Sequence, residues 1–419
     1  MPAPLPPEPE MVSRPGRVDF QWKAEGYRIS IRRLHTHSSG RVTGHIIIRS
    51  EEPNLPGLLY RADLNLSAAR SKREVAKELS ASPIWDWYKA IELICDRTLN
   101  WLEEGDPVER SFIDPEILVP PPEYLLHPLA PLGMPTVLYG DGGSAKSTLA
   151  VGLGICCLLP WEGNPFGLVP LTRPVVPLFL DWEMDLATFR YRTQLFLRGH
   201  RLPGIEMLYR RCYLPLVQDL EHLQDFVADN QVEVVIIDSL GAACGGELNK
   251  SEGPLAFYGG LRQLGKTSII VAHTSKDRDA DRGIYGNVHF SNYARSVWEC
   301  RKEQIAGALD LDLALIDRKS NLSSFRHPIG YRFTFDNSNQ SLTVSSTDPG
   351  SVQGVIARLG LKAEILDALR SSPRSAANLF KELGREAQVR ARLSELKRAG
   401  KLITLPDGSW ALPYTGEPL

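Results

Sequence analysis

One nine-residue run, Gly140-Asp141-Gly142-Gly143-Ser144-Ala145-Lys146-Ser147-Thr148, constrains this chain more than any other feature. It follows the apolar segment TVLYG and precedes LAVGLGICCLL, so the order strand, glycine-rich loop, helix is expected. Glycines let backbone N–H groups close around phosphate oxygens, and the positive end of the helix favours their charge. Lys146 can then reach the β- and γ-phosphates, and the Ser147 hydroxyl can ligate Mg²⁺. The run departs from G-x-x-x-x-G-K-[ST] at one place, where Ala145 replaces the glycine before the lysine. An alanine is tolerated there only at negative φ. The whole run is the expected cradle for ATP with Mg²⁺.

Two further segments carry acidic residues. In VEVVIIDS Asp238 directly follows the apolar run VVII, which suits a strand buried on both faces of a parallel sheet, and ligands bind at the carboxyl ends of such strands. It fits a Walker B carboxylate supporting the metal; the other reading is the N-cap of a helix. PLFLDWEMD sets Asp181, Glu183 and Asp185 just past another buried strand. Glu183 is the expected base that polarises the attacking water, with Asp181 the competing candidate.

Phosphate loop, strand-D-x-E, strand-D-S and then TSIIVAHTSK form an order that resembles RecA-like ATPases, in particular the RepA-type replicative helicase branch with its phage and plasmid relatives. The resemblance spans about residues 124–344. It implies that Glu183 is catalytic and that His273 senses the γ-phosphate. It also matches RGIYGNVHFSNYARSVWEC to a glycine-containing loop followed by an alanine-arginine helix, carried by Gly283, Gly286, Asn292, Ala294 and Arg295. Related ring-forming ATPases insert a basic residue from one subunit into the next. Arg318 and Lys319 in LALIDRKSN stand at the matching place, where they could neutralise charge on the transferred phosphoryl group; Arg295 is another possibility, and a solvated basic turn is the plain alternative. A homo-oligomeric ring is expected. In RecA-like folds the loops CGGELNKSEG and SKDRDADRGIYGN would face single-stranded DNA, making Lys250, Lys276, Arg278 and Arg282 candidate phosphate contacts. Asp277, Asp279 and Asp281 interrupt that basic run, and an ordinary surface loop is the other reading.

At 419 residues the chain is too long for one typical domain. The proline-rich stretch 1–16 reads as a disordered tail. Alternation within 18–50 and helical spacing after Ser67 give a small α+β domain over 17–113. DPEILVPPPEYLLHPLAPLGMP reads as a linker over 114–135, and 136–348 as an α/β ATPase domain with a mainly parallel sheet. The last block, 355–415, has three helix-like segments followed by KLITLPDGSWALP with Asp407-Gly408 at its turn, the pattern of a winged helix-turn-helix. From Lys362 onward ten basic residues stand against seven acidic, and Arg390, Arg392 and Lys397 on the third helix suit contacts to duplex DNA. Winged helices also dock proteins, so that alternative stays open.

A net charge of −2 makes any basic surface local. The six cysteines form no C-x-x-C pair, which suits buried thiols in a reducing cytoplasm. No apolar stretch approaches the roughly 20 residues of a membrane span. The expectation is a cytoplasmic, Mg²⁺- and ATP-dependent motor or remodelling enzyme acting on DNA. The alternative is an ATP-gated DNA-binding regulator or loader that does not unwind.

Overall fold

The computed structural model describes residues 4–14, 16–52, 55–81, 84–105, 110–274, 283–321, 326–352, 355, 361–370 and 372–413. The chain divides into two compact units, Met1–Val119 and Pro120–Leu419.

In the first unit five antiparallel strands pair in chain order: β1 (Glu10–Arg14), β2 (Arg17–Trp22), β3 (Tyr27–Thr36), β4 (Val42–Ser50) and β5 (Leu58–Asn65). Alternation gives this sheet one dry face, on which Val18, Phe20, Tyr27, Ile29 and Ile46 are buried. Helices α1 (Ala69–Glu78) and α2 (Trp87–Glu104) cover it with Val75, Ile91 and Ile94. The expected disordered tail is corrected here. Glu10–Arg14 pairs residue for residue with Arg17–Gln21, and Trp22 Nε1 donates to the Pro7 carbonyl at 2.7 Å. The prolines precede EMVSR rather than interrupt it, and an edge strand leaves one side without ladder bonds in any case.

The second unit begins inside the expected linker. Strands β6 (Tyr124–His127) and β7 (Ala130–Pro131) form a small sheet with β9 (Val169–Pro170). Leu125, Leu126, Leu129 and Ala130 are fully buried. Apolar burial at these positions outweighs the backbone donors that the neighbouring prolines remove.

The main sheet contains β8 (Pro135–Gly140), β10 (Pro177–Asp181), β11 (Leu208–Arg211), β12 (Val234–Asp238), β13 (Thr267–His273), β14 (Ser296–Glu303), β15 (Asp310–Ser320), β16 (Ile329–Asp336) and β17 (Ser341–Thr347). Their order is β11-β10-β12-β13-β8-β14-β15-β16-β17. Neighbours from β11 through β14 are parallel, and those from β14 to β17 antiparallel. The parallel strands are apolar along their whole length because each face has its own cover. On one face α3 (Lys146–Leu158) and α4 (Leu186–Gly199) pack over Leu138, Phe179 and Ile236; on the other α5 (Leu220–Asp229), α6 (Leu240–Cys244) and α7 (Glu252–Leu264) pack over Val137, Leu180 and Ile237. A mainly parallel sheet layered between helices is the architecture of a RecA-like core.

Helix α8 (His289–Tyr293) is only five residues long. Ala294 is already extended and Arg295 leads into β14, so the expected alanine-arginine helix is corrected to a helix end and a strand start. The aromatic and β-branched content of SVWEC explains the strand. At the C-terminal end, α9 (Leu361–Ala368), α10 (Ala376–Leu383) and α11 (Glu386–Arg398) enclose Ile365, Leu379, Val389 and Leu393. A hairpin of β18 (Ile403–Thr404) and β19 (Trp410–Ala411) follows, with Gly408 at φ +82° in the turn. Among the described residues no helix is long and apolar enough to cross a membrane.

Candidate active site

The loop leaves the sheet at Gly140, where a Cβ would collide with the Cys300 carbonyl of the neighbouring β14. Only glycine fits between these two strands. Gly143 follows at φ +68°, and Ala145 stands at φ +55°. The expected negative φ is therefore corrected: closing the loop forces the left-handed region, which costs an L side chain roughly 1–2 kcal/mol. Side chains hold the loop in place. Ser144 Oγ donates to the Asp141 carbonyl at 2.8 Å, Thr274 Oγ1 to Asp141 Oδ1 at 2.6 Å, and Lys302 Nζ to the Gly143 carbonyl at 2.9 Å. Lys146 Nζ folds over the loop and donates to the carbonyls of Gly140 (2.9 Å) and Asp141 (2.8 Å). Burial presses its pKa down, against the pull of nearby acidic groups.

Strand order places the remaining groups. β13 lies between β8 and β12, and the register pairs Asp181 with Asp238, Asp238 with Val271, and His273 with Gly140. Both aspartates thus end at one level, with His273 two residues further out beside the loop. Asp238 is 3% exposed, and the nearby Ser147 side chain favours its ionised form; its Oδ1 is buried without a partner among the described residues. Burial pushes its pKa up to about 6. Asp181 Oδ1 accepts the N–H groups of Glu183 and Met184, both at 2.8 Å. Asp181 therefore shapes the turn that carries Glu183 outward. Glu183 Oε1 accepts from Ser239 Oγ at 2.5 Å and lies 3.5 Å from His273 Nε2. Asp185 caps α4, accepting from Thr188 N at 2.8 Å.

Lys146, Ser147, Glu183, Asp238 and His273 line one cavity of about 730 Å³, a size typical of small-molecule sites. Its floor is the loop from Gly143 to Thr148, beside Glu183, Asp238 and His273. Its roof is one face of α4, Thr188, Tyr191, Arg192 and Leu195, spaced as successive turns of a helix require. Its far wall comes from the antiparallel strands and their turns: Leu311, Phe335 and Leu342 with the amides of Gln304 and Asn337.

Residues 107–279 match the AAA domain family. The mainly parallel sheet over this segment has the fold of a RecA-like ATPase core. Among solved structures, a KaiC-like protein of the hyperthermophilic archaeon Pyrococcus horikoshii aligns at 16% identity with a TM-score of 0.35, over 52% of this chain and 93% of that one. No curated protein matches the chain. The family match stops short of β14 to β17, whose side chains wall the ATPase cavity.

P-loop ATPases use Mg²⁺, and the residues present fit it. Asp238, with its unpartnered Oδ1, and Ser147 line the same cavity, a pair of hard oxygen donors. Among the described residues no group of three or more His, Cys, Asp or Glu forms a self-contained metal site. An ion at Ser147 and Asp238 would take its other oxygens from phosphate and water, as Mg²⁺ usually does.

Other expected residues stand away from the ATPase cavity. β15 runs antiparallel, so Lys319 pairs with Val297 and Ser320 with Ser296, at the end of the sheet opposite the phosphate loop. Lys319 Nζ donates to the carbonyls of Ser291 (2.9 Å), Asn292 (2.7 Å) and Ala294 (2.8 Å). Within its own chain these three bonds close the end of α8. Arg318 Nε lies 3.8 Å from Glu299 and does not line its own chain's cavity. Arg295 sits at that same far end, its N–H on the Pro135 carbonyl. Lys250 lies in an exposed turn 3.1 Å from Glu247; Lys276, Arg278 and Arg282 lie outside the described residues. On α11, Arg390 pairs with Glu386 (2.8 Å), Arg392 with Glu395 (2.6 Å), and Lys397 donates to Thr404 Oγ1 (2.7 Å).

Sequence reasoning missed Ser239, Lys302 and Arg192. The last had a signal: Phe189, Arg192, Thr193 and Phe196 recur at helical spacing, and a charged residue at the edge of that buried stripe asks for a function.

Proposed function

We propose that this chain is a Mg²⁺-dependent ATPase that couples hydrolysis to DNA binding, translocation or remodelling, in the manner of RepA-type helicases. The observation that carries this reading is the convergence of Lys146, Ser147, Asp238, Glu183 and His273 on one cavity. Loop N–H groups hold the phosphates, and Lys146 exchanges the neutral carbonyls of Gly140 and Asp141 for charged phosphate oxygens. Ser147 and Asp238 would hold Mg²⁺, which would supply charge neutralisation there. Glu183 orients a water whose oxygen bonds to the γ-phosphorus as the bond to the β–γ bridging oxygen breaks; the water's proton passes to the Glu183 carboxylate. The base rests against Leu311, Phe335 and Leu342. His273, beside Glu183 and at the root of the following loop, links phosphate release to that loop.

DNA contacts are assigned to Lys250, Lys276, Arg278 and Arg282 in the loops and to Arg390, Arg392 and Lys397 on α11, taken as the recognition helix of a winged domain. A homo-oligomeric ring belongs to the same reading. Six buried, unbridged cysteines support a reducing, cytoplasmic setting. The test is ATP turnover by wild type and Glu183→Gln, with and without single-stranded DNA, beside a mass measurement in nucleotide. DNA should stimulate the wild type, and Glu183→Gln should lose on the order of 100-fold in kcat while still binding ATP. Full turnover by Glu183→Gln would remove Glu183 as the base, and a monomer indifferent to DNA would end the coupling. A second reading, an ATP-gated regulator or loader, draws on the internal pairing of Arg390, Arg392 and Lys397. DNA-stimulated hydrolysis without strand displacement would select it.

A further inference from the structure

The segment before β1 is held to the first unit by contacts that recur every three residues. Trp22 Nε1 donates to the Pro7 carbonyl at 2.7 Å, and the Asp86 N–H donates to the Pro4 carbonyl at 2.8 Å. The inward prolines keep the same spacing: Pro9 is buried and Pro6 half-buried, while Pro4, Leu5, Pro7 and Glu8 are exposed. Three residues per turn is the period of polyproline II, which leaves its carbonyls to outside donors. Four prolines among residues 4–9 fix φ near the value that this conformation needs. The donors belong to an aromatic cluster. Ring centroids place Trp85 5.0 Å from Trp22, 5.2 Å from Tyr27 and 5.5 Å from Trp87, and Asp86, between the last two tryptophans of the chain segment, is the N-cap of α2. Further along, Glu8 pairs with Arg97 of α2. Arg97 stands eleven residues beyond Asp86, about 16 Å along the helix, and four residues of polyproline II cover about 12 Å; the long arginine and glutamate side chains close the difference. Aromatic-lined grooves hold proline-rich peptides in this conformation at small cost in chain entropy. Every sequence has carbonyls, so the two donors read a spacing, and Arg97 adds a preference for a carboxylate just before the second inward proline.

We propose that the first unit is a binding module for proline-rich segments of other proteins, and that its own residues 4–9 fill the groove until such a segment displaces them. The ligand is a polyproline II stretch of the form Pro-x-Glu-Pro, with both prolines inward and the carboxylate on Arg97. Displacement exchanges like for like. Two carbonyl acceptors, two proline faces and one carboxylate leave as the same set arrives, so the indole of Trp22 and the N–H of Asp86 keep their partners. The tethered segment competes at an effective concentration of roughly millimolar, which sets the threshold that an incoming ligand must pass.

The probe is a fluorescein-labelled peptide of sequence PAPLPPEPE, read by anisotropy against the full chain, a chain lacking residues 1–9, and the full chain carrying Pro6→Ala with Pro9→Ala, each with a thermal melt. The shortened chain should bind one peptide and do so at least about tenfold more tightly than the full chain, because the tethered competitor is gone. The double-alanine chain should approach the shortened one; its β1 is whole, so it gives the answer if the shortened chain unfolds. A peptide with Pro6→Ala and Pro9→Ala should lose about tenfold or more, and one with Glu8→Gln about twofold to fivefold, a difference that closes at high salt. Trp22→Phe in the same background keeps a ring, removes the donor and should weaken binding about threefold to tenfold. Three results would each overturn the proposal: no saturable binding once the segment is released, equal binding of the alanine-substituted peptide, or affinity untouched by Trp22→Phe. A full chain whose mass rises with concentration only while residues 1–9 are present, without capture of free peptide, would assign the groove to exchange between copies and overturn it as well.

Discussion

Ala145 carries a methyl group at φ +55° in the tightest curve of the phosphate loop, and the curve is kept by Thr274, Lys302 and Ser144 rather than by the residue's own preference. Ala145→Gly should relieve that strain while adding chain entropy to the unfolded state, a net gain of about 0.5–1 kcal/mol in urea unfolding. A destabilised variant would show that the loop is relaxed around alanine. Asp238 supplies a second test. Its raised pKa, about 6, means that the folded, nucleotide-free carboxyl holds its proton below that value, whereas metal ligation needs it ionised. Binding of Mg²⁺ with ADP should therefore release close to one proton near pH 5 and almost none at pH 8, read from the buffer dependence of the calorimetric heat. Proton-free binding at pH 5 would contradict the raised value. Glu183 and Asp238 were legible in the sequence because each is defined by a strand ending beside it. The φ of Ala145 was not, since it is set by ring closure of the whole loop.

At the scale of elements, helix α4 depends on one close approach. A Cβ on Gly199 would strike the Leu342 carbonyl of β17, so glycine lets the C-terminal end of α4 seat on the strand whose Leu342 also walls the cavity. Gly199→Ala should cost about 1–3 kcal/mol through forced displacement and weaken ADP binding as well, checked by melting and by titration on the same sample. Loss of stability with unchanged affinity would separate the helix seat from the cavity. The long apolar strands were legible as such. β11 and β14 were not, because LYRR and SVWECRKE carry charges that mask their period, and α8 looked longer than its five residues because the chain leaves helical geometry at Ala294. Arg192 escaped notice since only the packing of α4 over the loop brings it to the cavity.

Across the whole molecule, the two units have separate cores: the first around Phe20, Ile29 and Ile91, the second chiefly on the two faces of the main sheet and among the C-terminal helices. A chain beginning at Pro120 should fold and bind ADP as the full protein does, measured by titration after removal of the first unit. Loss of binding would mean that the first unit completes the site. The division between units was readable from proline content only approximately: the break falls at Val119, and the strands after it belong to the ATPase core despite their prolines.

The far wall of the cavity carries a consequence for how such a protein can change. Loop, carboxylates and histidine stand on the parallel strands, while Leu311, Phe335 and Leu342 stand on the antiparallel extension beyond the matched family segment. Under the proposed reading the base rests on that extension, so substitutions there would retune which base is accepted. Selection on fuel preference would then work through one half of the sheet, tied to the phosphate-holding half by the seat of α4 on β17 and by Lys302 on the loop.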